Sequence, residues 1–101
     1  MPAAYLVVDM KITDPEQYKL YVAQAPAAVK AAGGEYLARG GRHETLEGPW
    51  KAARVALLRF PSYEQAKDFY DGEMYRAARA KRAGTTEYFN MILVEGVPDP
   101  V

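Results

Sequence analysis

Only one side chain in this sequence has an ordinary pKa near neutrality, the single histidine His43. It can serve as a general base or as a haem ligand. It lies in residues 41–52, which show no helical or strand period and also hold Glu44, Glu47 and Trp50. A connection of about a dozen residues in a compact domain is often functional, and this one can fold over the open end of a cleft. The plainer alternative is a hairpin connection whose Trp50 anchors it to the core, with His43 solvated. Arg39 and Arg54 flank the same stretch. Their planar forks suit a carboxylate or enolate oxygen. Either they share one cleft or each pairs with a nearby acid such as Glu47. Asp9 interrupts an apolar run. Buried, its carboxyl would have a raised pKa and could abstract a proton from activated carbon. Placed at the solvated end of a strand beside Lys11, the reading preferred here, it would do neither.

These residues need elements to position them. Residues 4–12 read as a strand with the continuous run Tyr5-Leu6-Val7-Val8. Asp14 and Pro15 then mark a helix start. Tyr18, Tyr21, Val22, Ala25, Val29 and Ala32 follow at helical spacing. Pro26 lies inside this run and predicts a kink or an interruption. Gly33-Gly34 closes the helix. Residues 35–39 form a short strand and residues 53–60 a third. Ser62 and Gln65 form a capping box for a second helix with Ala66, Phe69 and Tyr70 on its buried face. Gly72 breaks that helix, and a further helical piece spans 73–82. Residues 88–95 are the fourth strand. The order β-α-β-β-α-β predicts an α+β, ferredoxin-like fold: a four-stranded antiparallel sheet with its helices on one face, as one domain over residues 1–101. The abundant tyrosines at positions 18, 21 and 70 read as core.

One layer of helices covers one face of a sheet. Strands one, three and four carry apolar residues on both faces: Tyr5 and Val7 alternate with Leu6 and Val8, Val55 and Leu57 with Ala56 and Leu58, and Ile92 and Val94 with Met91 and Leu93. The uncovered set is larger than a soluble monomer usually exposes. The expectation is a homodimer joined sheet face to sheet face.

Composition narrows the chemistry. There are 13 basic and 13 acidic residues and no cysteine. The balance argues against a nucleic-acid partner. Absence of cysteine removes thiolate catalysis, iron–sulfur clusters and cysteine zinc sites, and one histidine removes a multi-histidine metal site. No run approaches the length of a membrane span, and the start of the sequence lacks a signal-peptide pattern, so a cytoplasmic location is expected.

The chain resembles the DUF1330 family of the dimeric α/β-barrel superfamily. The matching stretches are residues 4–8 (AYLVV), 33–41 (GGEYLARGG), 46–50 (LEGPW), 54–62 (RVALLRFPS) and 93–97 (LVEGV). Together they span nearly the whole sequence. The family pattern Asp-Ser-Pro-Glu-Tyr is replaced here by Asp71-Gly72-Glu73-Met74-Tyr75; the tyrosine is kept and the serine and proline are not. The resemblance implies the fold and the dimer. It adds Tyr75 and the basic position Arg82 as residues lining a cleft. Superfamily relatives include cofactor-free monooxygenases, isomerases, haem enzymes and ligand-sensing domains, among which fold does not choose.

The combined expectation is a homodimeric small-molecule-binding protein, metal-free and of isomerase or monooxygenase type, acting in a cleft between two copies. The alternative is a non-catalytic metabolite-sensing module. Asp9 and His43 are the catalytic candidates; Arg39, Glu47, Trp50, Arg54, Tyr75 and Arg82 are the binding candidates. No cofactor is expected, because His43 has no second haem-directed residue beside it.

Overall fold

A computed structural model describes residues 2–98. The chain runs β1 (Ala4–Ile12), α1 (Pro15–Ala31), β2 (Glu35–Arg39), β3 (Arg54–Phe60), α2 (Tyr63–Asp71), α3 (Glu73–Arg82) and β4 (Thr86–Glu95). The four strands form one antiparallel sheet in the order β2-β3-β1-β4. This is the α+β, ferredoxin-like arrangement that the order of elements predicts.

Local chemistry accounts for the boundaries. The Asp14 carboxylate accepts from the Gln17 amide at 3.1 Å, and Pro15 occupies the first turn of α1. The Ser62 hydroxyl accepts from the Gln65 amide at 3.1 Å at the start of α2. At the end of α1 the Gly34 amide donates to the Val29 carbonyl and the Gly33 amide to the Lys30 carbonyl. That is a Schellman closure, with Gly33 in the left-handed region at φ 80°. Gly72 separates α2 from α3, and a Cβ there would meet the Asp68 carbonyl oxygen at 2.9 Å.

Three sequence expectations are corrected. Helix α1 is not interrupted at Pro26: a proline removes one backbone donor, and packing of α1 against α3 holds the helix on both sides of the loss. Val22 and Tyr70, expected on buried faces, are both partly exposed. Asp9 is not at a solvated strand end; it is buried, with 8 % of its surface accessible.

Period-two alternation divides the sheet cleanly. Ala4, Leu6, Val8 and Met10 of β1 face the helices together with Ala56, Leu58 and Phe60 of β3, and form the core with Tyr18, Val29, Phe69 and Ala78. The opposite face carries Tyr5, Val7, Val55, Leu57, Ile92 and Val94, and no helix covers it. Ile92 there is 62 % exposed.

Strand β2 departs from alternation. Its pairing with β3 shifts between Tyr36 and Ala38, so that Tyr36 opposes Leu58 while Arg39 opposes Ala56. Leu58 and Ala56 both face the helices. This bulge therefore turns Tyr36 and Arg39 to the same side, although they are three positions apart in the sequence.

Candidate functional site

A cavity lies between the covered face of the sheet and helix α1. Its space, mouth included, is about 490 Å³, and the inner slot is narrow, about 40 Å³, room for only a few waters. The walls are apolar, with Val8, Val29, Leu58 and Phe89 among them. The polar atoms come from four tyrosines, Tyr18, Tyr21, Tyr36 and Tyr75, and from Arg39 and Arg54. Among the described residues no Asp, Glu or His lines it.

Each polar group has an identifiable support. Arg39 is turned inward by the β2 bulge and stacks over the Tyr36 ring, its Cζ 4.6 Å from the ring centroid. Arg54 begins β3, and its guanidinium fills the space where a Cβ of Gly40 would stand. Gly40 adopts φ 70° and closes the hairpin through its amide to the Val55 carbonyl at 2.9 Å. The Tyr21 and Tyr75 hydroxyls are 2.7 Å apart, and the Tyr18 hydroxyl donates to the Met10 sulfur at 3.3 Å. Burial raises the pKa of Tyr18, partly offset by the positive charges of Arg54, Arg82 and Arg39. Burial also raises Tyr36, with Arg39 opposing. Tyr21 is driven far above the ordinary phenol value, first by burial and then by its contact with Tyr75. These phenols stay protonated; they donate hydrogen bonds and do not act as bases at neutral pH.

Arg82 stands behind the cavity. Its Cζ is 3.6 Å from the Phe89 centroid and 5.4 Å from that of Tyr21. Phe89 and Met91 separate it from the slot and also line a second recess between α2 and β4, to which Arg82 belongs. Its buried Nε has no hydrogen-bond partner among the described residues, and neither does Nη1 of Arg79, whose guanidinium lies over Tyr70.

The remaining candidates sit on the other face of the sheet. Residues 41–53 leave the hairpin and lie against the uncovered side. Trp50 Nε1 donates to Asp9 Oδ2 at 3.0 Å, and the Tyr88 hydroxyl donates to Asp9 Oδ1 at 3.3 Å. The Ala53 amide donates to the Tyr88 oxygen at 3.2 Å, and the Thr45 hydroxyl to the Trp50 carbonyl. Trp50 thus anchors the loop to the sheet through Asp9, yet 55 % of its surface is exposed. Both ring nitrogens of His43 face carbonyls, Nδ1 that of Gly41 at 3.2 Å and Nε2 that of Ala52 at 3.0 Å. Only the imidazolium donates to both, and these two contacts raise the His43 pKa. Glu47 is exposed beside Trp50 on this face. Among the described residues no three His, Asp or Glu side chains gather closely enough to hold a metal ion.

Apart from Arg82, which lines the second recess, the sequence candidates separate into two sets. Arg39, Arg54 and Tyr75 line one cavity of this chain. Asp9, His43, Glu47 and Trp50 gather on the opposite face. Sequence reasoning missed Tyr18, Tyr21 and Tyr36 as cavity residues. The available signal was two tyrosines on the buried face of a helix otherwise lined by alanine and valine, because a buried tyrosine hydroxyl needs a partner.

A family model described as a domain of unknown function, DUF1330, matches residues 3–97. The chain belongs to the DUF1330 family. Solved structures share the fold of this DUF1330 chain at low identity. A protein of unknown function from Rhodopseudomonas palustris is 16 % identical with a TM-score of 0.77, over 96 % of this chain and 84 % of that one. SnoaB, a cofactor-independent oxygenase from Streptomyces nogalater, is 8 % identical with a TM-score of 0.62, over 97 % and 96 %. A protein from Bacteroides fragilis, described as dimeric with a ferredoxin-like fold, is 17 % identical with a TM-score of 0.54, over 92 % and 95 %. No curated protein matches the sequence. Among the described residues no helix is long and apolar enough to cross a membrane.

Proposed function

We propose that the protein is a homodimeric small-molecule-binding protein whose ligand occupies the cavity under α1. One observation carries the reading: two guanidinium groups and four phenols converge on a slot that no acid lines among the described residues. Such a lining stabilises a negative charge on a bound oxygen, the requirement of an enolate or phenolate intermediate. An enzyme of this layout, isomerase or oxygenase in type, works on the anion of its substrate without a metal. The structural likeness to a cofactor-independent oxygenase is in keeping with that chemistry. The sensing alternative draws on a different feature, the lack of any Asp, Glu or His in the lining to remove a proton.

The dimer is supported by the uncovered apolar face and by the dimeric description of a structural neighbour. The cavity lies on the covered face of the sheet, opposite the apolar face, so in this reading the second copy stabilises the sheet without completing the site.

Two measurements test the reading. In a metabolite thermal-shift screen, a cavity ligand raises Tm by mass action; prolonged incubation followed by mass spectrometry then separates turnover from sensing. In sedimentation velocity the wild type runs as a dimer at micromolar concentration. Ile92→Glu, which places a charge on the uncovered face, runs as a monomer and still binds the screen ligand. A wild-type monomer refutes the assembly, and a screen without hits refutes the site.

A further inference from the structure

The cavity is polarised from mouth to interior. Arg39 is exposed and Arg54 half-buried, whereas Tyr75 is 1 % exposed and Tyr21 is buried beside it. Arg54, Arg82 and Arg39 all partly offset the burial that raises the pKa of Tyr18, whereas Arg82 alone of these acts on Tyr21. Neither Arg39 nor Arg54 has a carboxylate partner among the described residues, whose ion pairs involve other side chains. Two guanidinium groups without a carboxylate partner among the described residues suit an anion, and their planar forks match a carboxylate.

Proton counting describes the inner end. Tyr21 and Tyr75 carry two hydroxyl protons, and the bond between them uses one. Tyr18 directs its proton to the Met10 sulfur, a weak acceptor that a ligand oxygen displaces readily. The inner end therefore offers hydroxyl donors to a second oxygen. Between the two ends the walls are apolar, and because the inner slot holds only about 40 Å³, a flat body lies in the wider mouth and sends its far oxygen into the slot.

We propose that the cavity takes a small, flat, unsaturated carboxylic acid bearing a second oxygen, hydroxyl or keto, at its far end. The carboxylate lies on Arg39 and Arg54, and the second oxygen accepts from the Tyr18 and Tyr21–Tyr75 hydroxyls. This rests on the reading of the cavity as the small-molecule site and names its ligand class.

The test is calorimetric titration with 4-hydroxybenzoate, benzoate and phenol. The wild type binds 4-hydroxybenzoate more tightly than either one-ended probe, by about tenfold in each case. The Arg39→Gln/Arg54→Gln variant loses the advantage over phenol. Tyr18→Phe/Tyr21→Phe/Tyr75→Phe, which removes every hydroxyl donor of the inner end, loses the advantage over benzoate and keeps that over phenol. Circular dichroism and Tm confirm that each variant is folded. Equal affinity for phenol and 4-hydroxybenzoate in the wild type overturns the carboxylate end, and an unchanged preference in the triple phenylalanine variant overturns the hydroxyl end. Failure of all three probes together with a neutral ligand from the metabolite screen overturns the ligand class alone. Failure of the probes and the screen overturns both readings.

Discussion

Removing the hydroxyl of Tyr75 or of Tyr21 tests the buried pair on which the inner end of the cavity depends. The oxygens are 2.7 Å apart. Both rings are held independently of that bond: Tyr75 packs against Phe69 with centroids 4.4 Å apart, and Tyr21 stands edge-on to Phe89 at 6.1 Å. Phenylalanine therefore preserves the packing and deletes only the polar atom. Each single variant strips one hydroxyl of its buried partner, at a cost of about 1–2 kcal/mol. Deleting both leaves no orphan, so the double variant costs less than the sum, by a coupling of about 1 kcal/mol. In a chain of 101 residues, 1 kcal/mol moves Tm by roughly 4–8 °C. The assay is a double-mutant cycle by urea unfolding, with all four proteins at one concentration because self-association contributes to apparent stability. Strictly additive losses would refute the pairing. So would a single variant as stable as the wild type.

Two further outcomes follow from local geometry. Gly40→Ala forces a side chain into the left-handed region at φ 70°, at a cost of about 1–2 kcal/mol, and drives its Cβ into the Arg54 guanidinium. Adding Arg54→Ala restores part of the stability in urea melts; no recovery argues against that packing. The pKa of His43 in the folded protein lies above its ordinary 6.5, because both ring nitrogens donate to carbonyls. A raised folded pKa gives a contribution that is fully present below pH 6.5 and is lost as pH rises through the folded value. Proton NMR titration of the His43 ring reads the shift directly, and residues 41–53 exchange amide protons faster above that pKa. A value at or below 6.5 removes the loop clamp.

Much of the architecture was legible in the residues themselves. Hydrophobic period, the Asp14 and Ser62 caps and the breakers Gly33-Gly34 and Gly72 are local signals, and each acts within a few residues of where it is written. The two-faced apolar pattern of β1, β3 and β4 is equally local, since alternation follows from the geometry of a single strand. The family resemblance pointed to Tyr75 and Arg82 together; Tyr75 lines the cavity with Arg39 and Arg54, and Arg82 lines the neighbouring recess.

What the sequence left open depends on contacts distant along the chain. Asp9 reads as a solvated end residue until Trp50 and Tyr88, 41 and 79 positions away, arrive to bury and satisfy it. The pairing of Tyr21 with Tyr75 spans 54 positions, and no spacing rule announces it. The inward turn of Arg39 is decided by a bulge against β3; strict alternation would put it on the opposite face from Tyr36. A strand's own residues determine that its two faces alternate, but only its neighbour determines where that alternation slips. The slip puts both residues on the cavity wall.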